Sequence, residues 1–150
     1  MRKISVRGIV LHEGKLLCVK LKPYNDLVKA DSDWWCLPGG TVEEGEGLEN
    51  ALVREMLEET GIVPVLGKLI YVHQFAHNEK EYLEFFFHVT NSTDYTAVDL
   101  KKTTHGSKEI EKINFINPKQ TPVLPKFLTQ EDFSTQLEKQ APVKFFSFFK

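Results

Sequence analysis

The chain has 150 residues, of which 41% are hydrophobic and 27% are charged, and its formal net charge is −2. This composition predicts a single folded domain spanning residues 1–150, with enough apolar surface to bury a core. The small net charge argues against a general nucleic-acid-binding protein, and no apolar run approaches the roughly 18 residues of a membrane span.

The start of the chain shows no export signal. The basic N-terminus is followed by an apolar stretch that Ser5, Arg7 and Gly8 interrupt, which is not a signal-peptide pattern. The two cysteines, Cys18 and Cys36, have the setting of core-strand residues and are expected to be free thiols. Both observations predict a cytoplasmic protein.

The first structural elements are predicted to be strands. Residues 4–11 and 15–21 show apolar alternation and are joined by a short glycine-containing turn, so they are expected to form a β-hairpin. The polar residues 22–33 are predicted to be a connecting loop. Trp34 and Trp35 then lie on opposite faces of a short strand. One ring should pack in the core, and the other should either pack there too or offer a surface for stacking on a base.

Residues 39–62 concentrate negative charge and are predicted to be a glycine-rich loop followed by a helix that ends at Gly61. On a helical wheel Glu55, Glu58 and Glu59 share an arc with apolar residues and repel one another as i,i+3 and i,i+4 neighbours. At a separation of roughly 6 Å in a partly buried site, this repulsion is about 3 kcal/mol per pair. A divalent cation that prefers oxygen ligands would remove it, and Mg²⁺ fits this requirement best.

The second half of the chain predicts three further strands. Residues 62–74 alternate imperfectly, with Gly67 as an expected bulge or bend, and a polar turn at residues 77–80 leads into an aromatic strand at residues 81–90. These two strands are predicted to form a second hairpin. After a long polar segment, a further strand is expected at residues 109–116.

The C-terminal part predicts a helix and an aromatic tail. Residues 121–139 are expected to contain at least one helix, with Phe127 and Phe133 among its apolar positions. Four phenylalanines then lie within residues 145–149. Such a cluster is expected either to close over the core or to form a contact between the subunits of a homodimer.

The spacing within residues 40–62 resembles the Nudix box at every specified position. The matching residues are Gly40, Glu46, Arg54, Glu55, Met56, Glu58, Glu59, Gly61 and Ile62. So many fixed positions in one segment are far more specific than a short glycine motif. The resemblance implies a Nudix-type α/β/α sandwich with a mixed central sheet and a loop-helix-loop catalytic motif. The predicted order of strands and helices is likewise typical of the α+β class.

The resemblance also implies a metal site. Glu55 and Glu59 are the expected main ligands, and the backbone carbonyl of Gly40 is expected to complete the site. Glu58 is either a further ligand or the base that acts on water. Mg²⁺ is the expected ion, with Mn²⁺ as the alternative.

Other roles are expected around this metal site. Arg54 is expected to pair with Glu46, to hold the loop against the helix, and not to face the metal. The general base is expected outside the box, with Glu109 as the first candidate because it lies where the long polar segment meets the next strand. The other candidates are Glu79, Glu84 and Glu111. The histidines show no zinc-binding spacing and are assigned no catalytic role. Arg7 is interpreted as a solvated charge, with contact to a substrate phosphate as the alternative.

The activity that the resemblance implies is metal-dependent attack of water on a phosphorus atom of a nucleoside diphosphate linked to another moiety. A nucleoside triphosphate or a modified nucleotide is favoured as the small-molecule substrate. ADP-ribose, a dinucleoside polyphosphate and a nucleotide sugar stay open, although the proline that ADP-ribose-specific members carry downstream of the box is absent here. The alternative from another class is a Nudix-fold module that senses a nucleotide without cleaving it. Such modules usually lose box carboxylates, and all three are present in this chain.

Overall fold

The computed structural model describes residues 2–22 and 34–149. The strands of this part of the chain are β1 (Arg2–Ile9), β2 (Leu11–His12), β3 (Lys15–Leu21), β4 (Trp35–Cys36), β5 (Gly39–Thr41), β6 (Leu66–His77), β7 (Lys80–Val89), β8 (Ile110–Ile116), β9 (Val123–Leu124) and β10 (Lys144–Ser147). The α-helices are α1 (Leu48–Thr60), α2 (Gly106–Glu109) and α3 (Phe133–Gln136), and 3-10 turns cover Ser92–Tyr95, Leu100–Lys102 and Lys126–Gln130.

The strands form two mixed sheets. In the first sheet the order is β10-β6-β7-β1-β5, with β1 parallel to β7 and antiparallel to β5. In the second sheet the order is β2-β3-β4-β9, and β8 pairs with β3. Neighbouring residues of one strand face opposite sides, so Phe86 and Phe87 of β7 lie in two different cores.

Each core has its own helical cover. The core around Phe87 receives Leu52 and Met56 of α1, whereas the core around Phe86 receives Leu128 and Phe133 from the C-terminal turns. The predicted α+β class and its sandwich arrangement are therefore confirmed, although the strands divide between two sheets. Within the described residues, no helix is long and apolar enough to cross a membrane.

The prediction of an N-terminal hairpin is only partly correct. Antiparallel pairing is confined to β2 and β3, where Leu11 faces Leu16 around a turn at Glu13 and Gly14, both with positive φ. The preceding strand, β1, leaves this pairing and lies between β5 and β7. Its apolar side chains Val6 and Ile9 are fully buried on opposite faces, one in each core. A strand buried on both faces is more stable inside a sheet than as the arm of a half-exposed hairpin.

The second hairpin is confirmed. The long strands β6 and β7 pair around a turn in which Asn78 and Glu79 have φ values of 49° and 65°. Gly67 lies where the register between the two strands shifts, which is the expected bulge. The polar segment that follows β7 contains two 3-10 turns and α2, and it is held by buried Tyr95, whose hydroxyl donates to the carbonyl of Ile62.

Two other expectations fare differently. The helix predicted within residues 121–139 is divided into a 3-10 turn and the single turn of α3. The division falls at Asp132, whose side chain accepts from the backbone N–H of Thr135 and so begins a new helix. The loop predicted at residues 22–33 lies, apart from Lys22, outside the described residues.

The cysteine and tryptophan predictions can be compared directly with the structure. Cys18 and Cys36 are free thiols, as expected. Trp35 packs partly buried against the core around Phe86. Trp34 is 38% exposed, and the ammonium group of Lys126 lies 5.6 Å from its ring centroid. One tryptophan therefore packs against the core, as predicted.

The aromatic tail forms the edge strand β10, which pairs in parallel with β6. The ring of Phe146 stacks on Phe127 with centroids 4.2 Å apart and so closes over the core. Phe145 and Phe148 are instead 59% and 68% exposed. Contact between subunits through these exposed rings stays a prediction.

Replacing Phe146 by alanine is expected to lower the free energy of unfolding by about 2 kcal/mol, because a partly buried ring leaves a void in the core. In a domain of this size this corresponds to a fall in Tm of roughly 5 °C, measurable by thermal unfolding. Phe145→Ala is the matched control, since the neighbouring ring is exposed, and it should change Tm little. Equal effects of the two substitutions would contradict the packing described for β10.

Candidate active site

A cavity of about 470 Å³ opens where β1, β5, α1 and the start of β8 meet. Its lining is dominated by ionisable side chains of both signs. The acidic residues are Glu55, Glu58, Glu59 and Glu109, and the basic residues are Lys3, Arg7 and His105. Neither Trp34 nor Trp35 is among the described residues that line this cavity. The alternative in which one of these rings offers a stacking surface at the site therefore has no support from the cavity lining.

Two glycines bring the backbone of β5 against this cavity. Gly39 pairs with Arg7 of β1 and has a φ of 139°, and a Cβ there would lie 2.0 Å from the carbonyl oxygen of Val6. At Gly40 a Cβ would lie 2.6 Å from the carboxyl carbon of Glu55. Both positions therefore require glycine, the first for the backbone and the second for the carboxylate beside it.

Helix α1 presents the carboxylates. It ends at Gly61, which has a φ of 75° and donates its N–H to the carbonyl of Leu57, as the left-handed cap predicted from the sequence requires. Its core face buries Leu52 and Met56, and Glu59 is buried beside them at 7% exposure. The amphipathic pattern that fixes the helix on the core thus also fixes this carboxylate inside the protein.

Glu59 is the most perturbed carboxyl in the cavity. Burial raises its pKa to about 8; the charge of Arg7 opposes the shift and that of Glu55 adds to it. One carboxylate oxygen accepts the backbone N–H of Gly39 at 3.4 Å. In the absence of a stronger cation, this carboxyl is therefore largely protonated at neutral pH.

Arg54 connects the loop to the helix. Its guanidinium makes two hydrogen bonds to Glu46, at 2.8 and 2.9 Å, and a third to the carbonyl of Thr41. The pairing of Arg54 with Glu46 that was expected from the sequence is present. Arg54 also donates to Glu55 at 3.0 Å and to Glu58 at 3.5 Å, which are two of the expected metal ligands. That Arg54 does not face a bound metal stays a prediction.

Glu55 and Glu58 both bond to Arg54, and Glu58 also contacts His105, a histidine far from it along the chain. Burial raises the pKa of Glu55, an effect that the hydrogen bond from Arg54 only partly offsets. Glu58 lies 3.1 Å from Nδ1 of His105, and its backbone carbonyl accepts the N–H of the same residue. The segment before α2 is therefore bound directly to the helix that carries the carboxylates.

The donor set suits a hard divalent cation, although its side chains are not gathered around one point. Among residues 2–22 and 34–149, no three acidic, histidine or cysteine side chains lie in a metal-binding arrangement. Glu55 and Glu58 are hydrogen-bonded to Arg54 instead. The carboxylates of Glu55, Glu58 and Glu59 and the backbone carbonyl of Gly40 nevertheless supply the oxygen ligands that Mg²⁺ prefers.

The four general-base candidates lie in different places. Glu109 lines the cavity, next to the carboxylates of α1. Glu79 is in the exposed turn between β6 and β7, and Glu111 is exposed on β8. Glu84 is buried, bonds to both Arg7 and His73, and is not among the described residues that line the cavity.

Two cavity residues were not assigned a site role from the sequence. His105 lies in the polar segment before α2, and only the folded chain brings it to Glu58. For Arg7 a solvated charge was favoured over contact with a substrate phosphate, but Arg7 lines the cavity, with its side chain only 26% exposed. Charge counting gives the one available hint, since the excess of carboxylates in α1 requires cations from elsewhere.

Replacing Gly40 by alanine is expected to lower kcat by about a hundredfold, because the new methyl group would displace the Glu55 carboxylate by about an ångström. The fold should persist, since a flexible carboxylate can move aside. Steady-state kinetics and Tm measure the two effects. Gly47→Ala is the matched control, because nothing lies within 4 Å of its added Cβ. Unchanged kcat in Gly40→Ala would contradict a role for this close approach.

Comparison with known proteins gives a consistent family match. Residues 1–137 match the model of the NUDIX domain family. The chain is 42% identical over 83 residues to a putative 8-oxo-dGTP diphosphatase of Bacillus subtilis, covering 55% of this chain and 50% of that protein. It is 41% identical over 70 residues to an ADP-ribose pyrophosphatase of Methanocaldococcus jannaschii, covering 47% of this chain and 38% of that protein. The chain thus spans half or less of the length of these curated relatives.

Solved structures share the fold. The solution structure of the E. coli ORF135 protein has a TM-score of 0.69 and covers 94% of this chain and 95% of that chain at 23% identity. A MutT protein from Methanosarcina mazei has a TM-score of 0.62 and 26% identity, with 79% of each chain covered. The folded architecture therefore agrees with the sequence match.

Proposed function

Because the chain belongs to the Nudix family, we propose that it hydrolyses a pyrophosphate bond in a nucleoside diphosphate linked to another moiety. The observation that carries this proposal is the cavity that Glu55, Glu58 and Glu59 line together with Gly40, where the carboxylate of Glu55 lies against Gly40. The relatives named as a diphosphatase and a pyrophosphatase support the same class of reaction.

Nudix hydrolases generally use a divalent metal ion. We assign the ion in this chain to Glu55, Glu58 and Glu59 together with the backbone of Gly40, because carboxylate and carbonyl oxygens suit Mg²⁺, with Mn²⁺ as the alternative. Because burial raises the pKa of Glu59 to about 8, binding of the ion would displace a proton from this carboxyl at neutral pH. A bound cation of this kind would polarise a phosphoryl oxygen and lower the pKa of a coordinated water.

The chain's own residues then divide the remaining tasks. Glu55 and Glu58 would hold the ion together with Glu59, while Arg54 keeps its two bonds to Glu46 and so holds the preceding loop. Gly39 leaves room for the backbone of β1, and Gly40 leaves room for the carboxylate of Glu55. These roles explain why the motif combines glycines, carboxylates and one arginine.

Glu109 is the proposed general base. It lines the cavity, is exposed to solvent, and its negative charge contributes to raising the pKa of Glu59. A base with this access can take a proton from an attacking water and release it to solvent. Glu58 is the alternative base, because its contact with His105 offers a route for the proton.

The proposed substrate is a nucleoside triphosphate or a modified nucleotide. The similarity to a putative 8-oxo-dGTP diphosphatase supports this choice. The similarity to an ADP-ribose pyrophosphatase keeps ADP-ribose as an alternative, together with dinucleoside polyphosphates and nucleotide sugars. The cavity supports the choice of bond, whereas the choice of nucleoside rests on the relatives alone.

A substrate panel tests the proposal. Wild-type protein is incubated with 8-oxo-dGTP, the ordinary nucleoside triphosphates, ADP-ribose, diadenosine polyphosphates and UDP-sugars, with Mg²⁺ or Mn²⁺, and the products are separated by chromatography. Release of a nucleoside monophosphate or diphosphate is expected from at least one compound, only when metal is present. If none of them is cleaved with either metal, the hydrolase assignment fails.

A further inference from the structure

Arg7 is anchored at one side of the cavity by two hydrogen bonds. Its Nε donates to Glu84 at 3.4 Å, and its Nη1 donates to the carbonyl of Leu37 at 3.2 Å. Among the described residues, Nη2 has no hydrogen-bond partner. A guanidinium offers five N–H donors in a fixed plane, so this one still has several donors for a ligand.

A buried chain of side chains holds this arginine in place. Glu84 is 7% exposed and His73 is 5% exposed, and the second carboxylate oxygen of Glu84 lies 3.0 Å from Nδ1 of His73. The imidazole stacks on Phe75 with centroids 4.6 Å apart, and the edge of Phe148 packs against it at 5.5 Å. One carboxylate oxygen of Glu84 bonds to Arg7 and the other to His73, and the imidazole packs against two aromatic rings. These contacts together fix the position of the Glu84 carboxylate.

The charge distribution leaves Arg7 as an available cation. Arg54 is engaged by Glu46, Glu55 and Glu58. Arg7 has one carboxylate partner and lines the same cavity as the carboxylates of α1. Burying an arginine costs free energy unless its N–H groups are hydrogen-bonded. The N–H groups of Arg7 that are not bonded within the described residues would therefore gain from binding an anionic ligand.

We propose that Arg7 binds a phosphate oxygen of the substrate through the N–H groups that Glu84 and Leu37 leave free, and that Glu84, backed by His73, positions it. A planar guanidinium matches two phosphate oxygens better than an ammonium group does. The inference rests on the proposed function in one respect only, namely that the ligand carries a diphosphate.

The chain contains a matched control. Arg2 lies on the same strand and bonds to Glu81 of β7 at 3.0 Å, just as Arg7 bonds to Glu84 of the same strand. The Arg2–Glu81 pair is 55% and 45% exposed and does not line the cavity. Paired substitutions at the two sites therefore separate a role in binding from the general effect of removing a cross-strand ion pair.

Binding of imidodiphosphate, a non-hydrolysable analogue of pyrophosphate, is measured by calorimetry with Mg²⁺. Arg7→Ala is expected to raise Kd about 10- to 100-fold, the range of one lost charge-assisted contact. Arg7→Lys should lie between Arg7→Ala and wild type, and Arg2→Ala should bind like wild type. Millimolar guanidinium chloride should restore part of the affinity of Arg7→Ala. Wild-type affinity in Arg7→Ala, or equal losses in Arg7→Ala and Arg2→Ala, would overturn the inference.

The positioning role of Glu84 is tested by a double-mutant cycle. Glu84→Gln is expected to raise Kd about fivefold in the wild-type background and to have no further effect in Arg7→Ala, because it acts through the arginine. Glu81→Gln is the control and should leave Kd unchanged in both the wild-type and the Arg7→Ala backgrounds. A Glu84→Gln effect of equal size in both backgrounds would show a merely structural role. If Arg7→Ala fails to fold, the Arg7→Lys variant carries the comparison through its Kd against wild type.

These binding measurements need no turnover, so the two proposals can fail separately. Arg7-dependent binding by a protein that cleaves nothing in the substrate panel would overturn the hydrolase assignment and support the inference. Cleavage in the panel together with a Kd that does not depend on Arg7 would do the reverse.

Discussion

Glu59→Gln is expected to lower kcat by about a thousandfold while the protein stays folded. Lewis-acid and water-activating effects of a bound cation are worth several kcal/mol, and each 1.36 kcal/mol is a factor of ten in rate. An uncharged amide at this buried position could not replace the carboxylate as a ligand. Steady-state kinetics on the best substrate of the panel measure the loss. Glu49→Gln, in the exposed first turn of α1, is the matched control and should keep wild-type kcat.

The same substitution should not destabilise the metal-free protein at high pH. The folded-state pKa of Glu59 is about 8, above the 4.5 of an unperturbed carboxyl, so the folded protein holds this proton more tightly than the unfolded chain. Stability is therefore lost as the pH rises from about 4.5 to about 8, and the loss is complete above pH 8. With chelator present, Glu59→Gln should equal or exceed wild type in Tm at pH 8.5, with a smaller difference at pH 5.

Magnesium should change which of the two proteins, wild type or Glu59→Gln, has the higher Tm. Added Mg²⁺ is expected to raise the Tm of the wild type at pH 8 but to have little effect on Glu59→Gln, because a ligand stabilises only the folded state that binds it. A variant that keeps kcat within tenfold of wild type, or that responds to Mg²⁺ equally, would remove Glu59 from the proposed metal site.

Arg54→Ala is expected to lower the free energy of unfolding by about 2 kcal/mol, or roughly 5 °C in Tm, and also to reduce kcat. The substitution removes the cation that bonds to Glu46, Glu55 and Glu58 and leaves their carboxylates to repel one another. Loss of one partner from a fully buried pair costs about 3–5 kcal/mol, but this guanidinium is 26% exposed and partly screened by solvent. Chemical denaturation measures the change.

A control variant and the effect of Mg²⁺ on stability test the result for Arg54→Ala. Arg2→Ala, which removes an exposed ion pair of β1, is the control and should cost less than 1 kcal/mol. Mg²⁺ should stabilise Arg54→Ala more than wild type, since a bound cation takes over part of the lost compensation. Equal stability of Arg54→Ala and wild type without metal would contradict the position of Arg54 at the centre of these carboxylates.

Acid should weaken the ion pair between Arg54 and Glu46. Hydrogen bonds from Arg54 lower the pKa of Glu46 to about 2, below its ordinary value of 4.5. The stabilising contribution of this pair is therefore present above about pH 4.5 and is lost as the pH falls toward 2. The loop that this pair holds should thus loosen under acid before the core unfolds.

The helix and its carboxylates were predictable because their information is local. The glycine at position 61 has the positive φ that the helix end requires, and the wheel that placed Glu59 among apolar residues agrees with its burial. The turn at Asn78 and Glu79 was equally legible, since a polar tetrapeptide separates two apolar runs. The helix end, the burial of Glu59 and the turn all depend on residues only a few positions apart along the chain.

The partners of β1 and the cavity's cations could not be predicted in this way. The strand pairs with residues about 35 and about 80 positions away, and the alternation of apolar residues fits a hairpin equally well. Arg7 and Glu84 are separated by 77 residues, and His105 and Glu58 by 47. A single charged residue in a strand or a loop carries no local sign of which distant charge it will meet.

The central claim is that water attacks a phosphorus atom in a cavity whose carboxylates bind a divalent cation. Hydrolysis of the best panel substrate in ¹⁸O-labelled water, followed by mass spectrometry of the products, tests this claim most directly. We predict one ¹⁸O atom in one of the two phosphate-containing products, no label elsewhere, and no product at all when the metal is chelated. Unlabelled phosphate products, or labelled products formed at the same rate without metal, would contradict the claim.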